Sequence, residues 1–207
     1  MKPATRNEAG KVRIIGGRWR GTRLCVPASP GLRPSSDRVR ETLFNWLMPA
    51  LPGARVLDLF AGTGALGLEA VSRGAAKAVL VERDPGLANA LRDTITRLSA
   101  SAEVEVVQGD ALAWLPRQAD QAFDLAFVDP PFAQDLWQPT LAALLPRLAA
   151  DAWLYVESPA DQLPRLPPDW ALHREGRTRE VRFALYRAPS RQVADTLNSD
   201  ARMAISE

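Results

Sequence analysis

Four acidic residues stand where short apolar runs give out: Asp58 in RVLDLF, Glu82 in AVLVE, Asp110 after VEVVQ and Asp129 after DLAFV. A glycine loop follows the first of them, Asp58-Leu59-Phe60-Ala61-Gly62-Thr63-Gly64-Ala65-Leu66-Gly67, and Gly62, Gly64 and Gly67 match the G-x-G-x-x-G dinucleotide fingerprint. On the glycines alone, a nicotinamide dinucleotide and S-adenosylmethionine compete. Asp58 separates them, because a carboxylate there repels a pyrophosphate and attracts a sulfonium and an ammonium. S-adenosylmethionine also carries no phosphate, so the helix N-terminus after the loop would face only its small carboxylate. Glu82 can accept from ribose hydroxyls, a role shared with nicotinamide enzymes. Asp110 can accept from the exocyclic amine of adenine, and it equally suits the N-cap of a helix beginning at Ala111. Phe60, Arg83 and Ala111 stand beside these acids and complete the expected cofactor-binding set.

The fourth acid opens Asp129-Pro130-Pro131-Phe132. Neither proline can donate to a sheet, so the strand stops there. Each proline also pushes the residue before it out of the helical region. The Asp129 carboxylate and the Pro130 carbonyl are then two acceptors held near one point, which fits a nitrogen carrying two hydrogens. Phe132 follows as a face on which a planar base can stack, an interaction worth about 1–3 kcal/mol per base. A base amine is a poor nucleophile because its lone pair is delocalised into the ring. Two acceptors on its hydrogens favour a pyramidal nitrogen, and the carboxylate stabilises the positive charge that grows there. Asp129, Pro130 and Phe132 are the expected catalytic residues.

These residues need a scaffold that brings strand ends together. Strands are expected at Arg55–Phe60, Ala78–Glu82, Val104–Gln108, Asp124–Val128 and Ala152–Glu157. Helices are expected at Ala65–Arg73, from Asp84-Pro85 through Leu98, at Ala111–Leu115 and at Leu136–Leu148. The alternation predicts a doubly wound, mostly parallel α/β sheet, in which ligands bind at the carboxyl ends of the strands. Trp170–Arg174 and Val181–Arg187 read as a closing antiparallel pair turning at Glu175-Gly176. Before Arg55 the pattern changes to a short β-like part over Val12–Val26 and a helix from Asp37 to Met48. The expected division is a basic arm over 1–11, a substrate-binding extension over 12–50, the main domain over 51–188 and a loose tail over 189–207.

The chain has 207 residues, a net charge of +2 and one cysteine, Cys25, which excludes an internal disulfide. No apolar run approaches the roughly 18 residues of a membrane span, and Met1–Gly10 has no signal-peptide pattern. A cytoplasmic protein is expected, with no metal. Residues 1–40 hold ten Lys or Arg against Glu8 and Asp37, whereas the remainder is acidic overall. That asymmetry points to a polyanionic partner.

DLFAGTGALGLEA, VERD, GDAL and VDPPF, in that order, resemble the class I methyltransferases that modify exocyclic amines and share a D/N-P-P-F/Y/W motif. RIIGGRWRGTRLCVP followed by LRPSSDRVRETLFNWL resembles more narrowly the RsmD-type bacterial enzymes, which methylate guanine N2 in small-subunit (16S) ribosomal RNA. The likeness covers about residues 12–187, with Ser35-Ser36 where the pattern often has threonines. It implies a Rossmann-like fold of seven strands, S-adenosylmethionine as donor with S-adenosylhomocysteine as product, and ribosomal RNA or an assembling small subunit as partner. A monomer is expected. It also implies RNA-binding roles for Arg18, Trp19 and Arg20 on a glycine-flanked loop, and for Arg33, Arg38 and Arg40 around the first helix start. The competing readings are an N6-adenine methyltransferase acting on DNA or RNA, a protein glutamine methyltransferase, an NAD(P)-dependent oxidoreductase, and a non-catalytic RNA-binding protein.

Overall fold

Apolar runs too short for helices and bounded by glycine, proline or acid become the strands of one sheet. The computed structural model describes residues 12–24, 37–162 and 164–190. In chain order these contain β1 (Val12–Arg13), β2 (Arg23–Leu24), α1 (Asp37–Leu47), β3 (Arg55–Asp58), α2 (Ala65–Ser72), β4 (Lys77–Glu82), α3 (Pro85–Arg97), β5 (Val104–Gln108), α4 (Ala111–Trp114), β6 (Phe123–Val128), α5 (Trp137–Leu144), β7 (Leu148–Pro159), β8 (Ala171–Arg177) and β9 (Val181–Arg187). The last seven strands form a single sheet in the order β5-β4-β3-β6-β7-β9-β8. β5 through β7 run parallel, and β9 and β8 close the edge antiparallel. This is the Rossmann-like, class I methyltransferase fold.

The chain reverses its direction of travel across the sheet between β3 and β6. One face is covered by α1, α2 and α3, whose Leu43, Phe44, Leu68, Val71, Leu91 and Ile95 pack on Val56, Leu80 and Phe127. The other is covered by α4 and α5, with Leu115, Trp137, Leu141 and Leu144 against Leu57, Ala126 and Leu154. Parallel strands covered on both faces read as continuous apolar runs, which is why their bounds were legible.

Three elements depart from expectation. Leu136–Leu148 is not one helix: α5 stops at Leu144, a 3₁₀ turn spans Leu145–Arg147 with Pro146 at its start, and Leu148 already belongs to β7. β7 is twelve residues long because a register irregularity opposite Phe123–Leu125 lets the alanine-rich start pair as well. The closing pair does not turn at Glu175-Gly176. Gly176 lies within β8, where a Cβ would stand 2.2 Å from the Phe183 ring, so this glycine permits close approach rather than a turn. The turn falls at 178–180, where the Thr178 N–H donates to the Val181 carbonyl at 2.8 Å.

β1 and β2 form a small hairpin docked on α2. The backbone N–H groups of Ile15 and Gly16 donate to Glu69 Oε2 and Oε1, both at 2.9 Å. The Ser72 hydroxyl donates to the Gly16 carbonyl at 2.7 Å, and its oxygen accepts the Trp19 N–H at 2.9 Å. Gly17 has φ +75°, and a Cβ there would fall 1.9 Å from the Ser72 carbonyl oxygen, so only glycine fits.

Candidate active site

The strand order turns the acids of the sequence into a row. Read across the sheet from β5 to β7, the carboxyl ends carry Asp110, Glu82, Asp58, Asp129 and Glu157. Adjacent strands lie about 4.8 Å apart, so Asp110 and Asp129 are separated by roughly 14 Å, the length of a nucleoside with a short side chain.

Asp58 is 3% exposed and its Oδ2 accepts the Gly67 N–H at 3.0 Å. Burial is the main cause that pushes its carboxyl up to about 7; the Gly67 N–H opposes this and the charge of Glu82 adds to it. Gly67 faces the strand closely, for a Cβ there would stand 2.1 Å from Leu80 Cδ2 and 3.3 Å from Asp58 Cβ. Gly67→Ala is therefore expected to cost about 1–3 kcal/mol by overpacking and to weaken binding of S-adenosylhomocysteine. Thermal melting and titration calorimetry check the two effects.

Glu82 braces the loop. Its Oε2 accepts the Gly62 N–H at 2.8 Å and its Oε1 accepts the Asp84 N–H at 2.7 Å. Gly62 and Gly64 have φ +54° and +74°, so the loop turns through the left-handed region before α2 begins. Asp110 is exposed and caps α4 through Oδ1, which accepts the Ala113 N–H at 3.0 Å. Phe60 packs against the α4–α5 side of the core, Ala111 is buried, and Arg83 is exposed at the end of β4.

Asp129 follows β6, with Pro130 buried and Pro131 exposed beyond it. The carboxyl of Asp129 is raised well above the ordinary range, first by loss of water around the group and then by the charges of Glu157 and Asp58. The residue as a whole keeps partial exposure. Phe132 is half-buried and its ring meets that of Trp137 at 5.6 Å and 52°. The Trp137 indole N–H donates to the Glu157 carbonyl at 2.7 Å.

Trp137, Tyr155 and Glu157 were not singled out in the sequence. Glu157 is 4% exposed and its Oε1 accepts the Tyr155 hydroxyl at 2.8 Å. An acid closing the fifth apolar run, as Asp129 closes the fourth, was the available signal.

The arginines expected to face RNA divide. Arg40 does not face solvent: it is 1% exposed, and its guanidinium donates to Asp37 Oδ1 at 2.7 Å, to the Arg13 carbonyl at 2.9 Å and to Glu69 Oε2 at 3.4 Å. It ties the hairpin, α1 and α2 together instead of contacting a ligand. Arg18 pairs with Glu103, just before β5, and lies 4.3 Å over the Trp19 ring. Trp19 is half-buried against the core, and the loop sits at the C-terminal end of α2. That end is about 12 Å from the glycine loop, because α2 has 8 residues. Trp19 is therefore not placed beside Asp129. Arg20 and Arg38 are exposed, and Arg33 lies outside the described residues.

The model of the family described as conserved hypothetical protein 95 matches residues 12–187. The chain belongs to this family. Ribosomal RNA small subunit methyltransferase D of Escherichia coli strain K12 is 45% identical over 198 residues, covering 94% of this chain and 99% of that one. The protein of the same name from Haemophilus influenzae is 43% identical, covering 89% and 98%. Among solved structures, a putative methyltransferase, yhhF, from Escherichia coli superposes with a TM-score of 0.80 at 44% identity, covering 88% of this chain and all of that one. The family member described here is a methyltransferase, and its methyl donor is of the S-adenosylmethionine type. Among the described residues no His, Cys, Asp and Glu group is arranged to hold a metal ion, and no helix is long and apolar enough to cross a membrane.

Proposed function

We propose that this enzyme transfers a methyl group from S-adenosylmethionine to the exocyclic N2 amine of a guanine in small-subunit ribosomal RNA. The observation that carries the proposal is the placement of Asp129, with its two prolines, on the strand next to buried Asp58. The names of the relatives support the RNA.

The donor fits the residues present. The row of acids offers acceptors to an amine, to hydroxyls and to a cationic end, and the glycine loop leaves room for close approach. Asp110 would hold the adenine amine, Glu82 the ribose hydroxyls, and Asp58 the ammonium, with Phe60, Gly62, Gly64, Arg83 and Ala111 lining the same edge. When bound, the donor supplies an electrophilic methyl carbon on a sulfonium. Asp129 and the Pro130 carbonyl accept from the guanine amine and orient its lone pair. Phe132, buttressed by Trp137, covers the base. As the nitrogen–carbon bond forms and the sulfur–carbon bond breaks, Asp129 stabilises the charge on nitrogen, and the proton lost from N2 passes to it or to water. Arg20 and Arg38 are exposed and would serve phosphate contact, with Arg18 and Trp19 on the same loop as Arg20; Arg33 has the same expected role.

The raised carboxyl of Asp58 gives the binding step a pH signature. An ammonium pairs with the ionised acid only. With a value of about 7 in the free enzyme, the ionised fraction is small at pH 6 and nearly complete at pH 8. Affinity for S-adenosylhomocysteine is therefore expected to rise about tenfold from pH 6 to pH 8 with release of one proton, and Asp58→Asn is expected to abolish that dependence; calorimetry in buffers of different ionisation enthalpy checks both.

The proposal is tested by transfer of tritium from labelled S-adenosylmethionine to small-subunit RNA or particles from a strain lacking the gene. Label recovered as N2-methylguanosine supports it. Label recovered as N6-methyladenosine, or none above an Asp129→Ala control, overturns it.

A further inference from the structure

Glu157 is a buried acid that the reaction described above does not use. β6 and β7 are parallel neighbours, with Phe127 opposite Tyr155 and Val128 opposite Val156. The next pair in that register is Asp129 and Glu157. Alternate residues of a strand share a face, so Asp129 stands on the side of Phe127, and Glu157 on the side of Tyr155. Those two rings meet edge-on at 6.0 Å and 78°, so both acids project to one face of the sheet. The charge of Glu157 also contributes to raising the carboxyl of Asp129, as expected for adjacent groups.

Glu157 is held in place at two points. The Tyr155 hydroxyl donates to Oε1 at 2.8 Å, and the Trp137 indole donates to the backbone carbonyl at 2.7 Å. Tyr155 is fully buried, and burial together with Glu157 raises its hydroxyl well above the ordinary value, so it stays a donor. Trp137 in turn supports Phe132. One small network thus fixes both the stacking ring and a carboxylate beside the catalytic acid.

Two adjacent acceptors at strand ends match a base edge with two adjacent donors. Guanine presents N1–H next to its N2 amine. Adenine and 2-aminopurine have no ring N–H beside the amine: each ring nitrogen flanking it carries a lone pair, which a carboxylate repels. We propose that Glu157 accepts the N1–H of the target guanine and thereby sets the preference for guanine over bases that have no ring N–H beside the amine. This inference rests on the guanine-N2 reading above. Asp129 then serves the amine and Glu157 the ring.

The test compares small-subunit RNA from a strain lacking the gene with the same RNA carrying 2-aminopurine in place of the acceptor guanine, introduced by ligating a synthetic segment. 2-Aminopurine keeps the N2 amine and lacks only the N1–H and O6. The wild-type enzyme is expected to prefer guanine in kcat/KM by roughly 10–100-fold. Glu157→Gln, whose amide can donate to the bare nitrogen, is expected to bring that ratio towards one, mostly by gaining on 2-aminopurine relative to guanine. S-adenosylhomocysteine binding, measured alongside, is expected to be unchanged. Equal rates of the wild-type enzyme on the two RNAs overturn the inference with no variant needed. An unaltered ratio in Glu157→Gln also overturns it. Absence of label in natural RNA with the wild-type enzyme overturns the guanine reading itself, a different result from labelling without discrimination.

Discussion

Asp129→Ala is expected to lower kcat by about 10²–10³-fold, the loss typical of removing one preorganised group at a developing charge, while the affinity for S-adenosylhomocysteine is retained. The two effects separate because Asp129 belongs to the strand on the substrate side of Asp58 and holds no part of the glycine loop. The same change is expected to leave stability unharmed or to increase it. In the folded chain the carboxyl is dehydrated and crowded by Glu157 and Asp58, and all three contributions raise it. A carboxyl raised on folding gives the chain less stability as pH climbs from the ordinary carboxylate value through the raised one. Alanine removes that penalty at neutral pH. An acid that destabilises its own fold at working pH and is kept at a ligand edge is a mark of a functional group. Asp129→Asn keeps an acceptor without the charge and is expected to fall between the two. Single-turnover kinetics, calorimetry and thermal melting on the same preparations measure all three quantities.

Glu69→Ala is expected to be the most damaging change to stability away from the ligand edge, at about 3–5 kcal/mol, or a fall in melting temperature of roughly 10 °C for a chain of this size. Glu69 is fully buried in α2. It accepts two backbone N–H groups of the hairpin, the Arg73 guanidinium at 2.7–2.8 Å and the Arg40 guanidinium at 3.4 Å. Its loss strands a buried cation and two donors at once, which costs more than any one of the bonds contributes. Arg40 keeps Asp37 and the Arg13 carbonyl, but a cation 1% exposed with one partly exposed acid remains poorly compensated. Glu69→Gln still offers an oxygen to the hairpin, so a smaller loss is expected from it. Limited proteolysis within 14–22 distinguishes undocking of the hairpin from global unfolding.

The strands that build the ligand edge were legible because both faces of a parallel sheet are buried, which makes each an unbroken apolar run with an acid or glycine at its end. β5 lies at Val104–Gln108 as expected, and β3, β4 and β6 differ from expectation by a residue or two. The row of acids was legible for the same reason, since strand ends in this topology meet at one edge. What failed to show was long-range. Arg40 looked like its neighbours in a basic segment, and only the packing of α1 on α2 reveals Glu69 beneath it. Gly176 looked like a turn residue, because the ring of Phe183 that needs its space is seven residues away and on the partner strand. Glu157 ends an apolar run, yet nothing local says that its strand lies beside β6 and brings it level with Asp129.

The proposed reaction of this site is methylation of guanine N2 in small-subunit RNA. Nucleoside mass spectrometry of that RNA from a strain lacking the gene tests it most directly. Loss of an N2-methylguanosine is expected, restored by the wild-type gene and not by Asp129→Ala. Small-subunit RNA with its N2-methylguanosine intact, or with an N6-methyladenosine missing instead, would contradict it.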